Sequence, residues 1–377
     1  MFFKCEIVKL QIILNKASYN VLYNKLYLQK VDCLMNFLRD KTKEESLEAI
    51  SKLYKQITDV AGETALLYDA IEDFFFQDID YQKIKPIIPL WMIEAGRSPE
   101  SSWDKSLYEK FRSVYKDPIS NRIIHWADIQ GIISAFQDRV MAVKNYLEVI
   151  YKYIPAYCLY EDSEYETCTR ILDDTSDMVH AAINSVFVSI YSSFDLLTKV
   201  VYECTIYNAN DFVEYKRLRC RKNSIGYKKG NFGFEELKAE GLLYSEPVCV
   251  RTICSFRDEF IHNGAWDYRC AIYYPCVNGE PVEPFVLMPD VDEEGHLVSS
   301  GSRNKFYVNS HKINTVLPVL VKDVMDVLKK TIKALIDLLR GKTVIGNKNN
   351  ATKEALFKMS QNQLLLLSMI NQKTKKE

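Results

Sequence analysis

The sequence predicts a mainly α-helical protein that carries one small β-rich insertion. Three observations carry that expectation. Long stretches repeat apolar residues at three- and four-residue intervals, and strand-like runs are confined to residues 268–310. Gly and Pro cluster where the helical pattern stops. The expected organisation is an N-terminal helical domain over 1–160 and a second helical bundle over 170–340, the latter holding the insertion as a small β-meander. A linker and a C-terminal helix follow over 341–377.

Taken in order, "MFFKCEIVKLQIIL" allows a short strand at the start, but Lys4, Glu6 and Lys9 interrupt its apolar run. It reads as neither a secretory nor a spanning segment. Residues 45–76 and 128–154 have helical periodicity, and "PLWMIEAGRSPESSWDKS" between them reads as loop. Trp91, Trp103 and Trp126 read as core or loop anchors, with an aromatic ligand platform as the alternative. After a break at "AYCLYEDSEYETC", "DDTSD" supplies capping residues for a long helix running to about Tyr207. "EPVCVRTICSFRDEFIHNG" has Pro247 near the first helical position and Gly264 suited to a left-handed stop. "CVNGEP" supplies an Asn-Gly hairpin turn and "DEEGHL" a second turn. Residues 313–342 return to an amphipathic helix, and 355–370 form a terminal helix too apolar to stand alone. Together they predict a homodimer.

A chain of 377 residues exceeds one typical core. Its 47% hydrophobic and 26% charged residues describe a globular protein, and a formal charge of −1 excludes a global pull toward nucleic acid or membrane. Any such pull must come from local patches. The ten cysteines contain no C-x-x-C pair or zinc spacing, so reduced, mostly buried thiols in a cytoplasmic protein are expected, with no metal and no cofactor.

The chain has only five histidines, and one closes a helix in "CSFRDEFIHNGAWD". Val250, Ile253, Cys254, Phe260 and Ile261 recur at helical intervals, and Arg257 is read in the middle of that apolar stripe. A guanidinium there is costly unless it is paired or faces a solvated cleft. His262 lies five residues on, about 140° around a regular helix. The pair therefore suits a groove at a helix end, or one shared with a second subunit, better than one flat face.

Arg257, polar Asp258, His262 and Asn263 in "RDEFIHN" resemble the R-x(4–6)-H signature of the HEPN superfamily. The match is the only one in the chain. The helix containing "HAAINSVFVSIYSSFDLLTKVVYE" looks like the family's long first helix, and the resemblance covers about residues 174–340. It implies an all-α bundle and a metal-independent endoribonuclease with paired protomers lining one cleft. His262 would move protons, Arg257 would stabilise the anionic phosphorane formed by the 2′-OH, and the products would be a 2′,3′-cyclic phosphate and a 5′-hydroxyl. It further implies a conditional toxin or anti-phage effector, with an antitoxin or regulatory partner. Gly264 stands where one toxin subgroup has a tyrosine, so regulation through that tyrosine is not expected.

His180, Asn184, Tyr191, Asp195 and Tyr202 form a polar track on the long helix. Asp195 is a candidate to pair with Arg257 or position His262, with a hydrogen-bonded bundle face as the alternative; His180 reads as structural. Asn263 either orients the histidine, binds phosphate or simply caps the helix. Lys216, Arg217, Arg219, Arg221, Lys222, Lys228 and Lys229 form a basic stretch without an acidic residue, suited to RNA phosphates or to a solvated loop. Two other readings stay open: a non-catalytic module that binds RNA or nucleotide or dimerises with a partner, and a helical scaffold with Arg257 in a structural ion pair.

Overall fold

The computed structural model describes residues 43–97, 99, 103–160, 164–207, 212, 214, 215, 218, 234–264, 270–344 and 348–374. The N-terminal stretch that allowed a short strand and all seven basic positions from Lys216 to Lys229 lie outside them. The described chain is mainly helical, with a small three-stranded antiparallel sheet. In order, the helices are α1 (Lys43–Phe75), α2 (Tyr81–Ile84), α3 (Leu90–Glu94), α4 (Lys105–Val114), α5 (Pro118–Tyr153), α6 (Asp174–Thr205), α7 (Val248–Asn263), α8 (Ile313–Lys342) and α9 (Asn349–Thr374). Strand β1 (Thr167–Ile171) precedes α6; β2 (Ile272–Val277) and β3 (Glu280–Pro281) follow α7.

Two compact units divide the chain, and they do not follow chain order as the boundary near residue 160 assumed. One comprises residues up to Gln56 with Lys144–Phe187 and Val248–Val324; the other comprises Ile57–Val143, Val188–Pro247 and Met325–Glu377. Helices α1, α5, α6 and α8 each supply residues to both.

In the first unit, local chemistry sets the element ends. Asp173 and Ser176 cap α6 reciprocally: the Ser176 amide donates to Asp173 Oδ1 at 2.8 Å, and the Asp173 amide donates to Ser176 Oγ at 2.8 Å. Gly264, at φ 81°, supplies the left-handed residue that ends α7. Asn278 and Gly279, with φ of 52° and 77°, turn β2 into β3 as the Asn-Gly signal predicts. The insertion is not a self-contained meander, however. Its strand β2 pairs along its length with β1, from Thr167↔Cys276 to Ile171↔Ile272, and β1 comes from the stretch read as a break before α6. Four of the five β1 residues are exposed, so no apolar alternation announces the strand.

Pro318 lies inside α8 and lacks the N–H that would bond the Asn314 carbonyl. The Tyr151 hydroxyl donates to that oxygen instead, at 3.5 Å. Asn314 itself is fully buried and stitches the insertion to α8: its Oδ1 accepts from the Val286 amide at 3.2 Å, and its Nδ2 donates to the Pro284 carbonyl at 2.8 Å.

The second unit packs Trp91 and Trp126 as core anchors, as expected. The stretch at 89–106 is not all loop, because α3 forms within it around the buried Trp91. Arg122 is buried and held by Asp78 at 2.8 Å, and its guanidinium lies over Phe76. α9 leaves Phe357, Leu364, Leu365 and Leu367 exposed. Helix α6 is long and apolar enough by composition to cross a membrane, but 56% of its most apolar window is buried inside the protein, as in the core helix of a bundle. Cysteines are less buried than expected. Among the described residues only Cys204 is buried, with its thiol pushed up by burial, while Cys168 is exposed and the other five are half-buried.

Candidate functional site

Helix α7 is held on two sides, both within the first unit. Phe256 is fully buried, and the Phe187 ring of α6 lies 5.0 Å from it and 5.5 Å from Phe260. Val250 and Ile253 complete that buried side. The second side is covered by the loop after β3. The Arg251 guanidinium donates to the Glu294 carbonyl at 2.5 Å, and the Leu297 amide donates to Ser255 Oγ at 3.0 Å.

Gly295 makes that contact sterically exact in a checkable way. Its φ is 88°, and a Cβ there would sit 2.6 Å from both the Val248 carbonyl oxygen and Thr252 Oγ1. A backbone oxygen cannot swing aside as a flexible side chain would. Gly295→Ala is therefore expected to cost about 2 kcal/mol and undock the loop from α7. Denaturant unfolding and proteolysis near Gly295 test it; a wild-type midpoint and cleavage pattern would contradict the tight docking.

What remains uncovered is a strip at the C-terminal half of α7. Asp258 and Ile261 are exposed along it, and at about 100° per residue Arg257 and His262 border it on opposite sides. Here the sequence expectation needs correction. Arg257 is not in the middle of the apolar stripe but at its edge, with its side chain 26% exposed. Ile261 has left the stripe, being 52% exposed, and Cys254 is half-buried. The reason is that the buried side centres on Phe256, a residue the stripe omitted. The burial cost that first singled out Arg257 therefore falls, and an ion pair meets what is left: Nη1 lies 2.8 Å from Asp258 Oδ1. His262 is exposed, and its imidazole makes no hydrogen bond or ion pair with another described residue.

Glu259 is the residue that sequence reasoning missed. It is 3% exposed, and its carboxylate gathers three donors. Asn263 Nδ2 and Asn304 Nδ2 donate to Oε2 at 2.8 and 2.6 Å, and Lys305 Nζ lies 3.2 Å from Oε1. Burial alone would raise the Glu259 pKa, but these donors outweigh it and the net direction is down. The cluster ties the last turn of α7 to residues 304–305 and so fixes the backbone that carries His262. Asn263, read as orienting the imidazole, binding phosphate or capping the helix, has its side-chain amide donating to Glu259. The available signal was the acid at 259, in helical register with Thr252, Phe256 and Asn263.

Asp195 stands half-buried on the part of α6 that belongs to the second unit. Within the polar track Asn184, Tyr191 and Tyr202 are likewise half-buried, whereas His180 is a core residue whose Nε2 lies 3.1 Å from the Ala271 carbonyl oxygen. Among the described residues no group of three His, Cys, Asp or Glu side chains is arranged to hold a metal ion. Comparison with protein-family models, curated proteins and solved structures finds no match to this chain.

Proposed function

We propose that this protein is a metal-independent endoribonuclease of the HEPN type, acting as a cytoplasmic homodimer. The observation that supports the reading is an arginine and a histidine bordering one uncovered strip at the end of a helix that is braced on both other sides. RNA supplies its own nucleophile, so the protein must move two protons and meet one developing charge. His262 takes the proton from the 2′-OH as that oxygen attacks phosphorus, and Arg257 donates hydrogen bonds to the phosphorane oxygens. The P–O5′ bond breaks, the leaving O5′ takes up the proton that the imidazolium returns, and a 2′,3′-cyclic phosphate and a 5′-hydroxyl remain. Because Arg257 and His262 lie about 140° apart on one helix, the Arg257 of one copy is read as working with the His262 of another. The physiological role that goes with this chemistry is a conditional toxin or anti-phage effector restrained by a partner.

The test is incubation of the purified protein with mixed RNA in EDTA, followed by end-group analysis. Cyclic phosphate and 5′-hydroxyl ends are expected; 3′-hydroxyl and 5′-phosphate ends would exclude the mechanism. Asp258 gives a second handle. Its carboxylate is paired with Arg257, and a negative charge about 4 Å from a phosphate costs roughly 1 kcal/mol in water. Asp258→Asn is therefore expected to lower KM for RNA about fivefold with kcat little changed, and a raised KM would show that Asp258 instead holds Arg257 in position.

The same ion pair favours a second reading, a module that binds RNA or nucleotide without cleaving it. That reading predicts retention of RNA on the protein, no new ends, and unchanged affinity in His262→Ala.

A further inference from the structure

We infer that the second unit holds a separate small-molecule site that takes a mononucleotide. A half-open cleft of about 870 Å³ is lined by residues from four stretches of the chain, all within that unit: 95–108, 128–135, Leu196 with Lys199 on α6, and Leu218. Its size falls within the range of ordinary ligand pockets, roughly 300–1,000 Å³. None of its residues belongs to the strip on α7.

The lining divides into two chemical halves. Ile132, Ala135, Leu196 and Leu218 give an apolar floor, and Trp103 and Tyr108 add two half-buried aromatic rings against which a flat base can pack. Arg97, Lys105 and Lys199 supply cationic groups, and Asp104 and Asp128 supply carboxylates.

What decides the ligand's charge is which of these groups is already committed. Asp128 accepts from the Tyr215 hydroxyl at 2.7 Å and from Arg97 Nη2 at 3.1 Å. Asp104 accepts from the Leu107 amide at 2.7 Å, as the N-cap of α4. Lys105 is paired with Glu109 at 3.6 Å. The Lys199 ammonium, in contrast, makes no hydrogen bond or ion pair with a described residue. Arg97 spends only Nη2 on a side chain, and its Nη1 lies over the bare backbone of Gly131. The cleft therefore offers spare donors on an ammonium and a guanidinium, while its carboxylates are engaged. A phosphate takes both donors, the ammonium of Lys199 and the uncommitted Nη1 of Arg97. An attached planar base takes the aromatic half, which a simple carboxylic acid would leave uncovered.

The experiment is calorimetric titration of the full-length protein with AMP, adenosine, inorganic phosphate and octanoate. AMP is expected to bind saturably, with adenosine and phosphate each at least about tenfold weaker. Lys199→Met and Trp103→Ala are expected to weaken AMP by roughly tenfold each. Ala135→Trp, which fills the cleft, abolishes binding while the far-ultraviolet circular dichroism stays that of the wild type. His262→Ala leaves AMP affinity unchanged, which separates this site from the nuclease reading. Absence of AMP binding at millimolar concentration, equal binding in Ala135→Trp, or tighter binding of octanoate than of AMP would each overturn the inference.

Discussion

His262→Ala is expected to lower RNA cleavage by at least about a hundredfold, because general acid–base catalysis by a placed side chain contributes roughly 10²–10⁴ in rate. Arg257→Ala is expected to lose a comparable factor, since removing one donor to a developing oxyanion costs about 10²–10³. The two losses should differ in kind. In the proposed mechanism Arg257 contacts phosphate in the ground state as well as in the transition state, so its removal is expected to raise KM and lower kcat together. Removal of His262 lowers kcat and leaves KM nearly unchanged. Neither change threatens the fold: His262 is exposed, and Arg257 lies at the edge of the buried side of α7 with an exposed partner, Asp258. Single-turnover cleavage of a labelled RNA, with thermal melts of each variant, measures both. Wild-type rates in both variants would remove these residues from the chemistry.

The second large effect is on stability. Glu259→Ala is expected to destabilise the protein by about 3 kcal/mol, the lower end of what breaking a buried ion pair costs. Three donors would lose one acceptor, but Lys305 and Asn263 can turn to water, which keeps the loss from being larger. Glu259→Gln keeps the shape without the charge and should lose about half as much. The sign of the pH dependence follows from the lowered pKa. A carboxylate held more acidic in the folded state contributes stability that is complete above the ordinary Glu range, near 4.3, and is lost as pH falls through the folded-state value. Wild-type and Glu259→Gln midpoints should therefore lie furthest apart at neutral pH and draw together in acid. A constant gap across that range would assign the effect to packing. Through the last turn of α7, Glu259→Ala should also lower cleavage under conditions where the protein is still folded.

Much of this was legible because it is local. Helical periodicity located α1, α5, α6 and α8; Asp173 and Ser176 announced the start of α6; Gly264 ended α7; and Asn278-Gly279 turned the hairpin. What was not legible depends on residues far apart in sequence. Strand β1 is an exposed edge whose identity comes from pairing with β2, a hundred residues later. The position of Arg257 was misread because its stripe was drawn without Phe256, whose burial depends on Phe187 of another helix. Glu259 drew no reading from the sequence because its partners Asn304 and Lys305 lie more than forty residues away. The cleft of the second unit had only a faint precursor, the reading of the tryptophans as a platform, because its lining comes from four separate stretches.

The most direct test of the nuclease account uses the two inactive variants together. Arg257→Ala and His262→Ala proteins, each silent alone, are co-expressed with different tags and the mixed dimer is isolated. That dimer pairs one intact guanidinium with one intact imidazole from opposite copies, and it is expected to cleave RNA in EDTA and leave cyclic phosphate ends. A mixed dimer as silent as its parents, beside an active wild type, would contradict the claim that the two groups meet across copies of the chain.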